Sequence, residues 1–488
     1  MSDISAKIKH VVVLMLENRS FDNMLGGLYP GRNDYDGLTG NETNPLYGGA
    51  DIKVWNSPDT DNAAMSIPDP DPGELWPDIN MQLFGLNAAP GNQMPPMNGF
   101  VNNYVRQTAQ AAASYSPESV MHYYTPDQVP VISQLAMQFA VSDQWFASAP
   151  CQTWPNRFFL HTGTAEGYQN NSPTHFPYLM NTIFNRFNEA DWKIYFHDFP
   201  QTLTLSSLWP HLDNFRFFDD FLTDAANGKL PAYTFIEPRY FPDIELPNDQ
   251  HPPHNVGMGE KLIADVYNAV RNAPTWEHTL LIVIYDEHGG IYDHAPPPMA
   301  VPPDDSHPQP FGFDRFGVRV PAVLISPYIK AGTILRAAPD DKLPHDAPPY
   351  PFDHTSVIAT LRKCFNLGSP LTRRDAAAPT VEAALNLDAP RQDCPAAVTA
   401  RDYAITPAEI EAARHAPLND FQKALHDAAA RLPPLGMPNA AAKSLFDRIE
   451  DHVENMVNGI HNEIPNNKTP AQALPYIQSQ LRQFLGKP

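Results

Sequence analysis

The stretch Thr279 to Pro298 reads TLLIVIYDEHGGIYDHAPPP and constrains the chain more than any other. Its first seven residues are continuous, apolar and partly β-branched, the pattern of a strand buried on both faces rather than one with alternating exposure. The run stops at Asp286, Glu287 and His288, and Gly289-Gly290 then turns the chain. In open α/β sheets, ligands bind outside the carboxyl ends of the strands. Two carboxylates and an imidazole there are costly to desolvate unless something positive lies beside them. Two readings follow: a divalent metal supplies that charge, or the strand end is closed by salt bridges.

The N-terminal stretch HVVVLMLENRSFDNMLGG repeats the pattern. A buried-strand run ends at Glu17 and Asn18, and Phe21 to Leu25 begin a helix. Two acidic strand ends of the same chemistry are better explained by a shared ligand than either end alone.

At 488 residues the chain can bury a large core, with room for one big domain and an appendage. A formal charge of −22 argues against a nucleic-acid groove and against binding anionic lipid by charge alone. No apolar run approaches the ~20 residues that span a bilayer. Val11 to Leu16 is too short for the core of an export signal. The expected location is therefore cytoplasmic, or outside the cell by another route or after removal of a leader. Three cysteines, Cys151, Cys364 and Cys394, are no disulfide framework. A Cys364–Cys394 bridge is left open, and a reduced pair is expected in a cytoplasmic protein.

Residues 30–100 are rich in Pro, Gly, Asn and Asp and show little periodicity. Trp76, Leu83, Phe84 and Met97 within them predict an ordered loop that packs on something. Gln128 to Phe139 reads as a helix. In CQTWPNRFFLHTGTAEG, Pro155 suits the first turn of a helix, which places Thr153 at its positive end. That position suits an N-cap threonine, and equally a hydroxyl that attacks a phosphate. WKIYFHDFP (192–200) and AYTFIEPRYF (232–241) predict strands with polar exits at His197 and Glu237. A loop carrying His251 and His254 leads to a helix over about 260–273 and then to the 279 strand, predicting a parallel pair. PAVLISPYI (321–329) predicts a strand, and FDHTSVIATLRKCF (352–365) a helix entered through His354. Beyond about residue 370 the chain becomes Ala-rich and helical in period. This divides it into a domain over 1–370 and a helical extension over 371–488.

The polar ends and loops assemble into one set: Glu17, Asn18, Thr153, His197, His251, Asp286 and Glu287, with His288 and His354 beside them. Hard oxygen ligands and a hydroxyl suit a divalent metal that activates a nucleophile and holds a phosphoryl oxygen. No GxSxG elbow, HExxH, P-loop or dinucleotide fingerprint is present.

Taken in order, HVVVLMLENRSFDNMLG, PDPDPG…QLFG with MNGF, QTWPNRFF, IEPRYF…HPPH, YDEHGGIYDH and, more weakly, FDHTS resemble the phosphoesterase family of bacterial phospholipases C, plant non-specific phospholipases C and related acid phosphatases. The resemblance implies an alkaline-phosphatase-like α/β fold, a mostly parallel sheet flanked by helices. It implies Thr153 as nucleophile and His251 as the group that protonates the leaving alcohol. It further implies Glu17, Asn18, Asp286 and Glu287, with the Thr153 oxygen, as ligands of one divalent metal of open identity. His197 is a looser match on the substrate side. The family reads PDPDPGH where this chain has Glu74. Glu74 therefore has a changed role toward substrate, or His122 in MHYY compensates, unless that histidine is only a packed loop residue. The leading expectation is a phospholipase C acting through a phospho-threonine. A broad acid phosphatase and, remotely, a non-catalytic phospholipid-binding protein are the alternatives. The substrate is a phospholipid or phosphate ester, with peripheral membrane contact and no nucleic acid.

Overall fold

The computed structural model describes residues 4–85, 93–109, 115–305, 310–338, 350–433 and 464–486. Ten strands are present among them: β1 His10–Leu16, β2 Thr43–Asn44, β3 Ile52–Lys53, β4 Ala140–Val141, β5 Trp192–Phe196, β6 Phe215–Phe217, β7 Tyr233–Ile236, β8 Thr279–Tyr285, β9 Ala322–Ile325 and β10 Thr333–Ile334. Eight form one sheet in the order β10-β4-β9-β8-β1-β7-β5-β6, while β2 and β3 make a separate short hairpin. Within the large sheet only β9 runs against its neighbours β8 and β4. The expected mostly parallel sheet flanked by helices is therefore present.

The two apolar runs that dominate the sequence lie side by side at the centre of this sheet. They pair in parallel with no offset, from His10 opposite Thr279 to Leu16 opposite Tyr285. All seven residues of β8 are buried, as are all of β1 except His10. The connection from β7 through helix Val256–Asn272 to β8 does join parallel strands, but they are not neighbours, because β1 pairs with both. The longest apolar strands take the centre of the sheet, where both faces are covered.

The described part of residues 30–100 packs as expected, but it is not all loop. Trp76–Phe84 is a helix, entered through Pro77 in its first turn. Ile79 and Leu83, one turn apart, bury with Phe84, Met97, Phe100 and Tyr104 in a small core of their own. Trp76 stacks on Phe311 with ring centroids 4.5 Å apart. After residue 370, helices Pro407–His415, Asp420–Ala429 and Pro470–Leu485 are present. Phe421, Leu425, Leu481 and Phe484 belong to the same hydrophobic cluster as the sheet. Residues 434–463 of this helical-period stretch lie outside the described residues. No disulfide joins Cys364 to Cys394: the Cys364 sulfur is 3.5 Å from the Ile8 carbonyl and the Cys394 sulfur 3.8 Å from that of Arg391. Among the described residues, no helix is long and apolar enough to cross a membrane.

A buried ion network ties the end of the YDEHGGIYDH stretch to the sheet. Arg319, fully buried, donates to Asp293 (2.9 Å) and Asp22 (3.1 Å) and to the carbonyls of Asp36 and Asp143. His294 bridges Asp22 at 2.7 Å and Asp36 at 3.2 Å. Burial alone would push the His294 imidazole down. Its hydrogen bonds to the two carboxylates outweigh that and the nearby Arg319, raising it to about 10. A folded-state value above the unfolded one means that the contribution is full below about pH 6.5 and is lost as pH rises through about 10. His294→Gln should therefore lower stability by about 1.5–3 kcal/mol near pH 6, the range for a hydrogen bond to a charged group. Denaturant midpoints of the two proteins should converge above pH 10.

Candidate active site

Because β1 and β8 end together, the residues that follow them emerge together. Glu17 and Asp286 leave the sheet at the same level. The Asn18 amide N–H donates to Asp286 Oδ1 at 2.8 Å. Asn18 has φ +54°, in the left-handed region that short polar side chains tolerate best after glycine. Gly289, at φ +62°, passes directly over it: a Cβ there would lie 2.2 Å from the Asn18 carbonyl oxygen. At Gly290 a Cβ would lie 2.7 Å from Pro72 Cβ and 2.8 Å from the Gly73 carbonyl. The two glycines thus let three chain segments meet: the ends of both central strands and the 71–74 loop.

Helix Thr153–Thr162 points its start at this junction. Gln152, not Thr153, is the N-cap residue, and Thr153 is the first helical residue. The Thr153 side chain is thereby released from capping and turned into the cluster. Its Oγ1 lies 3.2 Å from Glu17 Oε2 and 3.2 Å from Asn18 Oδ1. One turn further along, Arg157 is completely buried and ion-pairs with Glu17, with Asp286 at 3.7 Å and with Glu237 at 3.8 Å. The Asn18 side-chain amide donates to Glu74 Oε1 at 2.6 Å and to Glu287 Oε1 at 2.9 Å.

The electrostatics follow from this crowding. Burial, with neighbouring carboxylates adding to it, holds Glu74 and Glu287 well above the ordinary carboxylate range. Burial raises Glu17 in the same way, with Arg157 opposing. Asp286 Oδ2 is buried and accepts no hydrogen bond. Buried oxygen donors thus outnumber the one guanidinium among them. That donor set, with the orphaned Oδ2, fits a hard divalent cation, which takes carboxylate, amide and hydroxyl oxygens.

Of the remaining sequence-predicted residues, the structure brings in His251 and Glu74. His251 Nε2 is 3.7 Å from Glu74 Oε1, and its Nδ1 lies 2.6 Å from the Pro252 carbonyl. Asp71, on the same loop as Glu74, completes a group with them whose ligand atoms all lie within 4.8 Å of one another. Burial lowers the His251 imidazole to about 3. His354 and His288 stand behind the carboxylates: His354 Nε2 lies 2.6 Å from the Asp286 carbonyl, and His288 lies between Glu287 (3.3 Å) and Gln82 (2.8 Å).

Two expected substrate residues are not brought to Thr153. His197 stacks on Phe218 (4.4 Å), bonds the Glu237 carbonyl and lines a separate cavity of about 400 Å³ with Arg239 and Lys261. The turn after β5 carries it away from the β1–β8 junction. His122 is wedged edge-on between the rings of Trp55 and Tyr124, each 4.7 Å away, and both its ring nitrogens lack partners. It is a packed residue and does not stand in for the missing loop histidine. Arg157 and Asp71 were not singled out from sequence. Arg157 had a readable signal, four residues after Thr153 on the same helix face; Asp71 had none beyond its place in DPDPG.

Residues 8–368 match the family described as the Phosphoesterase family. This chain belongs to that family. Among its relatives, non-specific phospholipase C1 of Arabidopsis thaliana is 38% identical over 99% of this chain and 86% of its own. Non-specific phospholipase C6 of the same plant is 41% identical over 80% of this chain and 74% of its own. A solved protein of the alkaline phosphatase superfamily from Vibrio parahaemolyticus overlaps 51% of this chain and 64% of its own, at 13% identity and a TM-score of 0.30; that overlap is too slight to add to the assignment. As a phosphoesterase, the protein is a phosphoric ester hydrolase.

In this phosphoesterase the Gly-Gly turn is a steric requirement of the cluster. Gly289→Ala would drive a methyl group into the Asn18 backbone, at a φ that disfavours alanine. Its phosphoesterase activity should fall at least tenfold, while Gly332→Ala, at an equally positive φ but with only the Arg32 side chain within 4 Å, should leave activity unchanged. Steady-state assays of the two variants check this.

Proposed function

We propose that the protein is a metal-dependent phosphodiesterase of phospholipase C type, which cleaves glycerophospholipids to diacylglycerol and a phosphorylated headgroup through a phospho-threonine. The observation that carries this reading is the position of Thr153 Oγ1, 3.2 Å from both Glu17 and Asn18 at the start of a helix. The names of the relatives, 38% and 41% identical, support the lipid substrate.

Glu17, Asn18, Asp286 and Glu287, with Thr153, would hold the cation. When bound, it supplies charge that lowers the pKa of the hydroxyl and neutralises a phosphoryl oxygen. Thr153 Oγ1 attacks phosphorus, its proton passes to Glu17 Oε2, 3.2 Å away, and the P–O bond to the glycerol oxygen breaks in line. Burial keeps His251 neutral in the ligand-free site. A phosphate anion beside it is what would hold a proton on Nε2, ready for the leaving alkoxide. Water then hydrolyses the phospho-threonine. Arg157 lies between Glu17 and Asp286, and its charge opposes the upward shift that burial gives Glu17.

Thr153→Ala should retain less than about a tenth of the activity, because losing a covalent nucleophile costs orders of magnitude. A fold left intact would be read from an unchanged melting midpoint. Activity above that level removes Thr153 from the nucleophile's role. A panel of phosphatidylcholine vesicles and p-nitrophenyl phosphate, assayed with and without EDTA, tests the rest. Lipid hydrolysis should exceed monoester hydrolysis, vanish with chelator and return with a divalent ion. Faster monoester turnover would make the protein a phosphatase, and activity indifferent to chelator would sink the metal.

A further inference from the structure

Glu74 stands where the resembled family carries histidine, and its contacts point to a role that a substrate contact does not explain. It is 7% exposed. Its Oε1 is 2.6 Å from the Asn18 side-chain nitrogen, while Glu287 Oε1 is 2.9 Å from the same nitrogen. A primary amide has two N–H donors and one oxygen. Both donors of Asn18 are therefore taken, one by each carboxyl. The amide oxygen is left on the opposite side, 3.2 Å from Thr153 Oγ1. The reverse orientation would forfeit both of these hydrogen bonds.

We propose that Glu74 is a positioning residue: together with Glu287 it fixes the orientation of the Asn18 side-chain amide, so that Oδ1 is always presented to Thr153 and to the cation beside it. The part concerning the cation rests on the proposed metal-dependent function; the part concerning Thr153 does not. The 71–74 loop is held for this purpose. The Gly73 carbonyl accepts a hydrogen bond from Gln82 Nε2 at 2.7 Å, and Gln82 is fixed in turn by Asn103 (2.9 Å). Gly290 allows Pro72 and Gly73 to approach the strand end. Helix Trp76–Phe84, which the sequence left unassigned, thus acts on the site through one carboxyl. Glu287 alone occupies a single donor, so without Glu74 the amide is held by one hydrogen bond instead of two.

Three variants separate this role from others. Glu74→Gln retains an acceptor oxygen of the same reach. Glu74→Leu removes the acceptor and keeps the bulk. Asn18→Asp removes the amide polarity that Glu74 is proposed to fix. Calorimetric titration of Mn2+ into the chelator-treated proteins should give affinities for wild type and Glu74→Gln within about threefold, and a loss of at least tenfold for Glu74→Leu. In the Asn18→Asp background, Glu74→Leu should cause no further loss, because the coupling between the two side chains is then absent. Crystal structures of the metal-free proteins supply the readout independent of the cation. Asn18 Oδ1 should stay within hydrogen-bond reach of Thr153 in wild type and Glu74→Gln and leave it in Glu74→Leu. If Asn18 keeps its place in Glu74→Leu, or if the loss persists undiminished in the Asn18→Asp background, the positioning role is overturned and a direct contact with substrate or cation replaces it. If wild type binds no divalent ion, the metal-dependent function fails, while the crystal comparison still decides the orientation of Asn18.

Discussion

The site depends on a single register. β1 and β8 pair in parallel from first residue to last, so both apolar runs give out at the same level of the sheet. Glu17 and Asp286 are then forced side by side where both are fully buried, and the charge of each adds to the cost of burying the other. Arg157 makes this tolerable. One guanidinium reaches Glu17, Asp286 and Glu237 from the helix that also carries Thr153. The same helix thus presents the hydroxyl and the counter-charge, one turn apart. A slip of one residue between the strands would turn every side chain to the opposite face and separate the carboxylates.

Around that junction the chain spends its conformational exceptions. Asn18, Gly289 and Gly290 all have positive φ, and each sits where backbone must pass within van der Waals contact of another segment. The YDEHGGIYDH stretch divides at the glycines. Its first half faces the candidate active site, and its second half, through Asp293 and His294, locks Arg319 and the β9 approach. A conspicuous motif can therefore contribute one half to a candidate site and the other to a buried ion network.

Histidines separate least well in sequence. His197 and His251 both follow predicted strands, and His122 lies near an aromatic pair. In the fold, burial lowers all three imidazoles to about 3. Their titration therefore does not distinguish them, and position does: only His251 shares a cluster with Glu74 and Asp71. Arg157 escaped notice for the opposite reason. An arginine in a helix is usually a solvated face; the spacing puts this one on the Thr153 face, but its full burial beside three carboxylates comes only from tertiary packing.

Sequence alone determined the two central strands, the acidic residues at their ends and the helix that begins at Thr153, because continuous burial and helix-start chemistry are local signals. It also determined, through their large apolar side chains, that the described parts of residues 30–100 pack against the rest. It did not determine that Trp76–Phe84 is a helix, since proline and acidic residues around it mask a two-residue apolar stripe. Tertiary structure alone decided that β1 lies between β7 and β8, that Glu74 reaches Asn18 across 56 positions of chain, and that His197 and His122 face elsewhere. Those are outcomes of packing between distant segments, where loop closure and shape complementarity act, and no local pattern encodes them.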